Sequence, residues 1–148
     1  MNPAAVVVAD TSALLAAFDD GEEEHRRALA VMGSERLVIS PLVLTELDHL
    51  VHREFGFDGA LQAIESLTDR IADGDYTLAA VSLDDLAIAH QVRQAYASLE
   101  LNLADGVGVS IADRYRTNRI FTLDQRDFRA IRPLTSGFDA FTILPADV

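Results

Sequence analysis

Along the chain, short runs of mostly β-branched residues alternate with longer segments whose apolar residues are spaced three and four apart. The short runs are bounded by polar or turn residues, which is typical of strands, and the longer spacing predicts helices. The predicted strands are residues 5–9, 37–40, 76–81, 119–123 and 140–144, the last lying at a sheet edge. The predicted helices are residues 14–18, 22–32, 41–54, 59–72, 82–99, 105–116 and 126–131.

Local signals support several of these boundaries. Pro41 stands at the first position of its helix, directly after Ser40, a suitable N-cap. Gly56 is expected to end that helix, and Ser82 with Asp85 forms a capping-box pattern. Strands that alternate with helices predict an α/β fold with a parallel sheet sandwiched between helices. Because no repeat or linker interrupts the 148 residues, we expect one domain over residues 1–148.

Composition excludes several classes of protein. An apolar fraction of 49% argues against disorder. The sequence has no cysteine, which excludes disulfides, thiolate zinc sites and cysteine nucleophiles. Its apolar stretches are shorter than the roughly 20 residues of a membrane span, and its start lacks the pattern of a signal peptide. We therefore expect a cytoplasmic protein that is not inserted in a membrane.

The net charge of −12 leans against a nucleic-acid partner, since phosphate binding usually requires a basic surface. The twelve basic residues are nevertheless all arginines, which suit bidentate phosphate contacts. Half of them cluster within a short segment near the C-terminus and are candidates for gripping an RNA backbone, although ion pairing within the protein explains them equally well. These six are Arg114, Arg116, Arg119, Arg126, Arg129 and Arg132.

Four carboxylates occupy positions that strand and helix geometry brings together. Asp10 directly follows the first strand and Asp124 follows the fourth, and ligands of open α/β sheets bind beyond the carboxyl ends of the strands. Glu46 lies at the border of the apolar face of its helix. Asp105 opens a helix and is followed by two glycines, which indicates either a close backbone approach or a loosened first turn.

Each acid also has a purely structural explanation. Asp10 and Asp105 could be N-caps or first-turn residues that complement the helix dipole, Asp124 could cap a short helix, and Glu46 could pair with Arg53. Convergence of all four is unfavourable without a cation, because two carboxylates about 4 Å apart repel by about 4 kcal/mol at an effective dielectric of 20. Oxygen ligands without cysteine favour Mg²⁺, Mn²⁺ or Ca²⁺, and Mg²⁺ fits a phosphoryl-transfer site.

The ordered set of motifs resembles the PIN-domain ribonucleases, and among them the VapC toxins of bacterial toxin–antitoxin pairs. Any one motif is weak, but together they span the chain in the order of that family. The matching segments are VADTSALL (8–15), SPLVLTEL (40–47), LADG (103–106), ADRYRT (112–117) and IFTLDQRDF (120–128).

The resemblance implies a three-layer α/β/α fold with a parallel sheet of about five strands and an acidic pocket that binds Mg²⁺, with Mn²⁺ as a substitute. It assigns catalysis and metal binding to Asp10, Glu46, Asp105 and Asp124, with Asp127 as a less certain fifth acid. It also implies supporting hydroxyl groups, from Thr11, Ser12 and Thr122. On this reading a metal-activated water cleaves RNA to leave 3′-hydroxyl and 5′-phosphate ends.

The same resemblance implies partners and a substrate. It predicts a cognate VapB-type antitoxin, a toxin homodimer and a structured RNA target, either tRNA or the sarcin–ricin loop of ribosomal RNA. Candidates for contacting the RNA lie beside Glu46 on its helix and in the C-terminal arginine cluster. They are His49, Arg53, Arg114, Arg116 and Arg126.

The alternative within this fold is a PIN-like module that binds RNA or protein without catalysis, and the intact set of four acids argues against it. Other Asp-dependent folds fit less well. A haloacid-dehalogenase phosphatase requires a second Asp where Ser12 stands. Receiver domains and P-loop nucleotidases require a lysine, which the sequence lacks, and no G-x-S-x-G elbow of a serine hydrolase is present.

Overall fold

The computed structural model describes residues 5–147 and contains a five-stranded, entirely parallel sheet in the order β3-β2-β1-β4-β5. All five predicted strands are present, and the last lies at a sheet edge as expected. Each strand is shorter than the range predicted for it from the sequence. The strands are β1 Val7–Ala9, β2 Leu37–Ile39, β3 Thr77–Leu78, β4 Arg119–Phe121 and β5 Thr142–Leu144.

Within residues 5–147, six α-helices connect and flank the strands. Across residues 5–147, none of the helices is long and apolar enough to cross a membrane. The helices are α1 Thr11–Phe18, α2 His25–Ser34, α3 Pro41–Ala72, α4 Leu83–Ala95, α5 Leu103–Arg114 and α6 Gln125–Ala130.

The strand side chains alternate between two apolar cores, one on each face of the sheet. In β1, Val7 and Ala9 pack against residues of α1, α2 and α3. Val8, between them, points to the opposite face and packs against residues of α4, α5 and α6. This period of two follows from strand geometry, and burial on both faces explains why the strands are continuous apolar runs. The predicted three-layer α/β/α architecture is confirmed.

Local geometry confirms the predicted starts of α3 and α4. The Ser40 hydroxyl accepts a hydrogen bond from the Leu42 backbone at 3.0 Å, with Pro41 in the first turn. Ser82 and Asp85 form the predicted capping box of α4. Gly56 interrupts α3 with a φ of 85° and a ψ of 177°, so the long helix bends where the sequence predicted an end.

Other boundaries differ from the prediction: α1 begins at Thr11 and α2 at His25, instead of at residues 14 and 22. Two further differences concern α4 and α5. The helix predicted over residues 82–99 ends at Ala95, and a separate 3-10 turn covers Ala97–Leu99. The helix that carries Asp105 begins two residues earlier than predicted, because Asn102 and not Asp105 is its N-cap. Asp105 therefore occupies the third position of the helix, where its side chain reaches back to the cap.

The strand order places a topological switch point between β1 and β4. From β1 the chain proceeds outwards to β2 and β3, and it then returns to place β4 on the other side of β1. In open α/β sheets such a point leaves a crevice beyond the carboxyl ends of the two strands, where ligands bind. Asp10 follows β1 and Thr122 follows β4 directly, so both lie at this crevice.

Two glycines of α5 have different surroundings. A Cβ atom on Gly106 would lie 3.0 Å from both the Cβ atom and the carbonyl oxygen of Ala89, whereas a Cβ atom on Gly108 would meet nothing within 4 Å. The close approach expected from sequence therefore applies to Gly106 alone. It allows α5 to pack directly on the backbone of α4.

We expect Gly106→Ala to lower the free energy of unfolding by about 1–3 kcal/mol, because the backbone of Ala89 cannot move away without separating the two helices. Gly108→Ala is the matched control, and we expect it to raise the free energy of unfolding by up to about 1 kcal/mol through helix propensity. Urea denaturation of both variants measures the difference. Equal effects of the two substitutions would contradict this account of the helix contact.

Candidate active site

Asp10 lies at the carboxyl end of β1, where the chain turns into α1. Its backbone caps the helix, but its carboxylate makes no capping hydrogen bond. Instead, Oδ2 accepts hydrogen bonds from the hydroxyls of Ser12, at 3.1 Å, and Thr122, at 2.7 Å. Asp10 is therefore the N-cap residue of α1 by its backbone, as the structural explanation has it, but its carboxylate serves the two hydroxyls and not the helix.

The hydroxyls of Ser12 and Thr122 join the segments that follow β1 and β4. Ser12 Oγ accepts a hydrogen bond from the Leu123 backbone and Thr122 Oγ1 accepts one from the Asp124 backbone, both at 2.9 Å. The two hydroxyls are 3.1 Å apart. They hold Asp10 in place relative to the loop that carries Asp124. The hydroxyl of Thr11 is also buried, but it has no hydrogen-bond partner in residues 5–147, so it does not support Asp10.

Asp105 is the most deeply buried of the four acids, with 9% of its surface exposed. It closes a capping box with Asn102, whose side chain accepts the Asp105 N–H at 2.8 Å. Burial, assisted by the charges of Asp10, Asp124 and Glu46, raises the pKa of Asp105 to about 7. Burial is the larger cause, and repulsion by the other three carboxylates adds to it.

Asp124 does cap α6, as the structural explanation proposed: its Oδ1 accepts the Asp127 N–H at 3.2 Å. Burial is the main cause that raises the pKa of Asp124, with contributions from Asp127 and Asp10. Asp127 is largely buried beside Asp124, and its carboxylate forms an ion pair with the Arg126 guanidinium at 3.3 Å. Asp127 is therefore adjacent to the four acids and is held by an arginine.

Glu46 lies half-buried on the second turn of α3. The proposed ion pair between Glu46 and Arg53 is absent from the described residues, since Arg53 pairs with its neighbour Glu54 at 3.4 Å. His49 and Arg53 are both exposed on the same helix. His49 is the nearer of the two to Glu46, one turn away along the helix.

Most of the C-terminal arginines are engaged within the protein. Arg114 binds Asp85 at 2.5 Å and the Ala80 carbonyl at 2.9 Å, about 13 Å along α5 from Asp105. Arg116 follows the same end of α5, so neither arginine is placed to contact RNA at the carboxylate edge. Arg126, with a side chain 79% exposed, is the arginine of this cluster that lies beside the acids. The others with an acidic partner are Arg119 with Glu35, Arg129 with Asp147 and Arg132 with Asp139.

The chemistry of these side chains fits Mg²⁺. Across residues 5–147, no three His, Asp or Glu side chains are already gathered into an arrangement that would hold a metal ion. Carboxylates that repel one another are expected to stand apart until a cation joins them. Mg²⁺ needs only one or two direct carboxylate ligands and takes water and phosphate oxygens for the rest. The buried, repelled Asp105 is the observation that fits a cation here.

Comparison with known proteins identifies the family of the chain. The PIN domain family matches residues 7–133. The chain is 38% identical to Ribonuclease VapC26 of Mycobacterium tuberculosis strain H37Rv over 141 residues, which are 94% of this chain and all of that protein. The chain belongs to the VapC family of PIN-domain ribonucleases.

Solved structures with the same fold include two VapC proteins. One is the Mycobacterium tuberculosis toxin VapC20, which cleaves the sarcin–ricin loop. The match covers 89% of this chain and 95% of the VapC20 chain, with a TM-score of 0.74 and 21% sequence identity. The VapBC2 complex of Rickettsia felis, bound to a DNA fragment from its promoter, matches 88% and 96% with a TM-score of 0.63 and 16% identity. At these identities the two structures support the fold of this VapC chain.

Sequence reasoning missed two residues near the acids of this VapC protein. Asn102 fixes the backbone from which Asp105 projects, and an Asn followed by Asp at the third position is a capping pattern that could have been recognised. Arg27, from α2, lines the same small notch as Thr122 and Leu123. No local signal marks Arg27, because its position depends on a long-range contact with the Pro145 carbonyl, just after β5.

Proposed function

We propose that this VapC protein is an endoribonuclease that hydrolyses RNA phosphodiester bonds with Mg²⁺, and that Asp10, Glu46, Asp105 and Asp124 hold the ion. The observation that carries the proposal is the burial of Asp105 among three other carboxylates, which raises its pKa to about 7. A cation relieves the repulsion that the folded protein otherwise maintains. Mn²⁺ should substitute, because it accepts the same oxygen ligands.

Each of the four acids is positioned by its own surroundings. Asp10 is oriented by the Ser12 and Thr122 hydroxyls through Oδ2, and its Oδ1, which accepts no hydrogen bond within residues 5–147, remains available to a cation. Asp124 and Asp105 are fixed by their helix caps, and Glu46 approaches from α3. Bound Mg²⁺ supplies activation of water and neutralises charge on the leaving oxygen, so no histidine base is required.

The proposal includes a biological setting. We propose that the protein is the toxin of a type II toxin–antitoxin pair, inhibited by a VapB-type antitoxin, and that it acts as a homodimer. The VapBC2 complex supports the antitoxin partner, and the named activity of VapC20 supports structured RNA as the substrate. The sarcin–ricin loop of ribosomal RNA and tRNA are the two targets to compare.

The direct test uses the protein purified free of metal and incubated with total bacterial RNA. We expect no cleavage in EDTA, and site-specific cleavage after addition of Mg²⁺ or Mn²⁺ at millimolar concentration. Sequencing of the new 5′-phosphate ends identifies the RNA and the cut site. Cleavage that is equal in EDTA and Mg²⁺ would contradict the metal site. RNA binding without cleavage under any of these conditions would favour a binding module.

A further inference from the structure

A small notch adjoins the four-acid site at the carboxyl edge of the sheet. It encloses about 80 Å³ and is lined by Arg27 and Glu24 from the start of α2, by Gln125, and by Thr122 and Leu123. Thr122 and Leu123 are also part of the hydrogen-bond network that positions Asp10. The notch and the acids therefore share Thr122 and Leu123 as a common wall.

Arg27 is held in place while retaining donors for a ligand. Its Nη2 donates to the Pro145 carbonyl at 2.6 Å and its Nη1 to Glu24 at 3.3 Å. A guanidinium has five N–H donors, so three have no partner within residues 5–147. The side chain is 51% exposed, which leaves these donors accessible. A fixed guanidinium of this kind is suited to bidentate binding of a phosphate.

Gln125 offers a second donor to the same space. Its Oε1 accepts hydrogen bonds from Arg129, from Nη2 at 3.0 Å and from Nε at 3.3 Å. Because the carbonyl oxygen is directed at Arg129, the amide NH₂ group is left to donate elsewhere. Arg129 is itself paired with Asp147 at 2.6 Å, which fixes the guanidinium that binds the Gln125 carbonyl oxygen.

We propose that Arg27 and Gln125 bind a phosphate of the RNA strand next to the phosphodiester that is cleaved. The inference rests on the proposed function and names a substrate contact of that same site. A positioned guanidinium supplies a phosphate contact in a protein whose net charge is −12. Glu24, which pairs with Arg27 at 3.3 Å, competes with the phosphate for the guanidinium.

Two substitutions with opposite predicted effects test the proposal. Arg27→Gln should weaken binding of an oligoribonucleotide that the wild-type protein cleaves by about five- to twentyfold, and reduce the slope of log K against log salt by about 0.7. Glu24→Gln should tighten binding by about three- to tenfold, because it removes the competitor of the phosphate. Binding is measured in an Asp10→Asn background with Mg²⁺, which keeps the RNA intact.

The neighbouring residues provide matched controls. Arg26→Gln and Glu23→Gln make the same charge changes at exposed positions of the same segment, and both should change affinity by less than about twofold at 0.1 M salt, where distant charges are screened. In the cleaving protein, Arg27→Gln should raise KM with kcat nearly unchanged. Replacing the adjacent RNA phosphate with a neutral methylphosphonate should abolish the difference between wild type and Arg27→Gln.

The outcomes separate the two proposals. If the wild-type protein does not cleave RNA, the proposed function and the phosphate contact are both wrong. If it cleaves RNA but Arg27→Gln behaves like Arg26→Gln, the function stands and the contact is overturned. Weaker binding of both Arg27→Gln and Glu24→Gln would show that the pair serves only to hold α2 against Pro145.

Discussion

Asp10→Asn is expected to lower Mg²⁺-dependent cleavage of RNA by about a hundredfold to a thousandfold. The substitution keeps the shape of the side chain and an acceptor for Ser12 and Thr122, but removes the charge that draws the cation. Bound metal contributes several kcal/mol of charge stabilisation in the transition state, and each 1.36 kcal/mol is tenfold in rate, which gives roughly this magnitude. Initial rates with a fluorescent oligoribonucleotide measure the change.

The control for this substitution is Asp58→Asn, at an exposed position of α3 outside the acidic site. It removes the same charge from the protein and should leave the cleavage rate within about twofold. Isothermal titration with Mn²⁺ should show weakened metal binding for Asp10→Asn alone. A cleavage rate near that of the wild type for Asp10→Asn would refute the assignment of Asp10.

The two acids carried by strands were predictable because a parallel sheet has one carboxyl edge. Asp10 follows β1 and Asp124 follows the loop after β4, and these strands are neighbours in the sheet. The sequence showed that each acid ended a strand, and sheet geometry brought the two ends together. The supporting hydroxyls were predicted from the family resemblance. Those of Ser12 and Thr122 do bind Asp10, whereas that of Thr11 does not.

The long-range partners could not be predicted, because they depend on how helices pack. Arg114 lies in a cluster of arginines that suggested RNA contact, yet its partner Asp85 stands on a different helix. Arg27 is ninety-five residues before Thr122, and nothing in its own segment indicates that the two line one notch. Glu46 lies at the border of the apolar face of its helix, as the periodicity predicted. Arg53, the alternative partner that the sequence suggested for it, pairs with Glu54 instead.

The stability of the metal-free protein should fall as the pH rises from about 4 to 7. The pKa of Asp105 is raised from its ordinary value of 3.8 to about 7, so in this range the folded protein keeps a proton that the unfolded chain has lost. The contribution of Asp105 is complete below pH 4 and is lost as the pH passes through 7. At about 1.36 kcal/mol per pKa unit, the loss is at most about 4 kcal/mol.

Other shifted acids do not reverse this dependence. The pKa of Asp85 is lowered to about 2 by its hydrogen bonds to Ser82, Ser110 and Arg114, which outweigh burial, so its contribution is already complete above pH 4. The pKa values of Glu35 and Asp147 are also lowered, by their partners Arg119 and Arg129. The raised pKa of Asp124 acts in the same direction as that of Asp105.

Asp105→Asn should remove most of this pH dependence while preserving the capping box, because the asparagine Oδ1 can still accept the Asn102 N–H. Urea denaturation in EDTA should show the variant to be more stable than the wild type at pH 7.5, by a few kcal/mol, and about equally stable at pH 4.5. Mg²⁺ should stabilise the wild type and have little effect on the variant, since an ion that binds only the folded state raises its stability by mass action.

Asp84→Asn is the matched control, because Asp84 is an exposed acid in the first turn of the adjacent helix α4. It should leave both the pH dependence and the response to Mg²⁺ unchanged. If Asp105→Asn destabilised the metal-free protein at pH 7.5, Asp105 would act as an ionised structural cap, and the crowding that argues for a cation would not exist. Stabilisation at pH 7.5 combined with loss of RNA cleavage would show that the acid is retained for its chemistry at the expense of the fold.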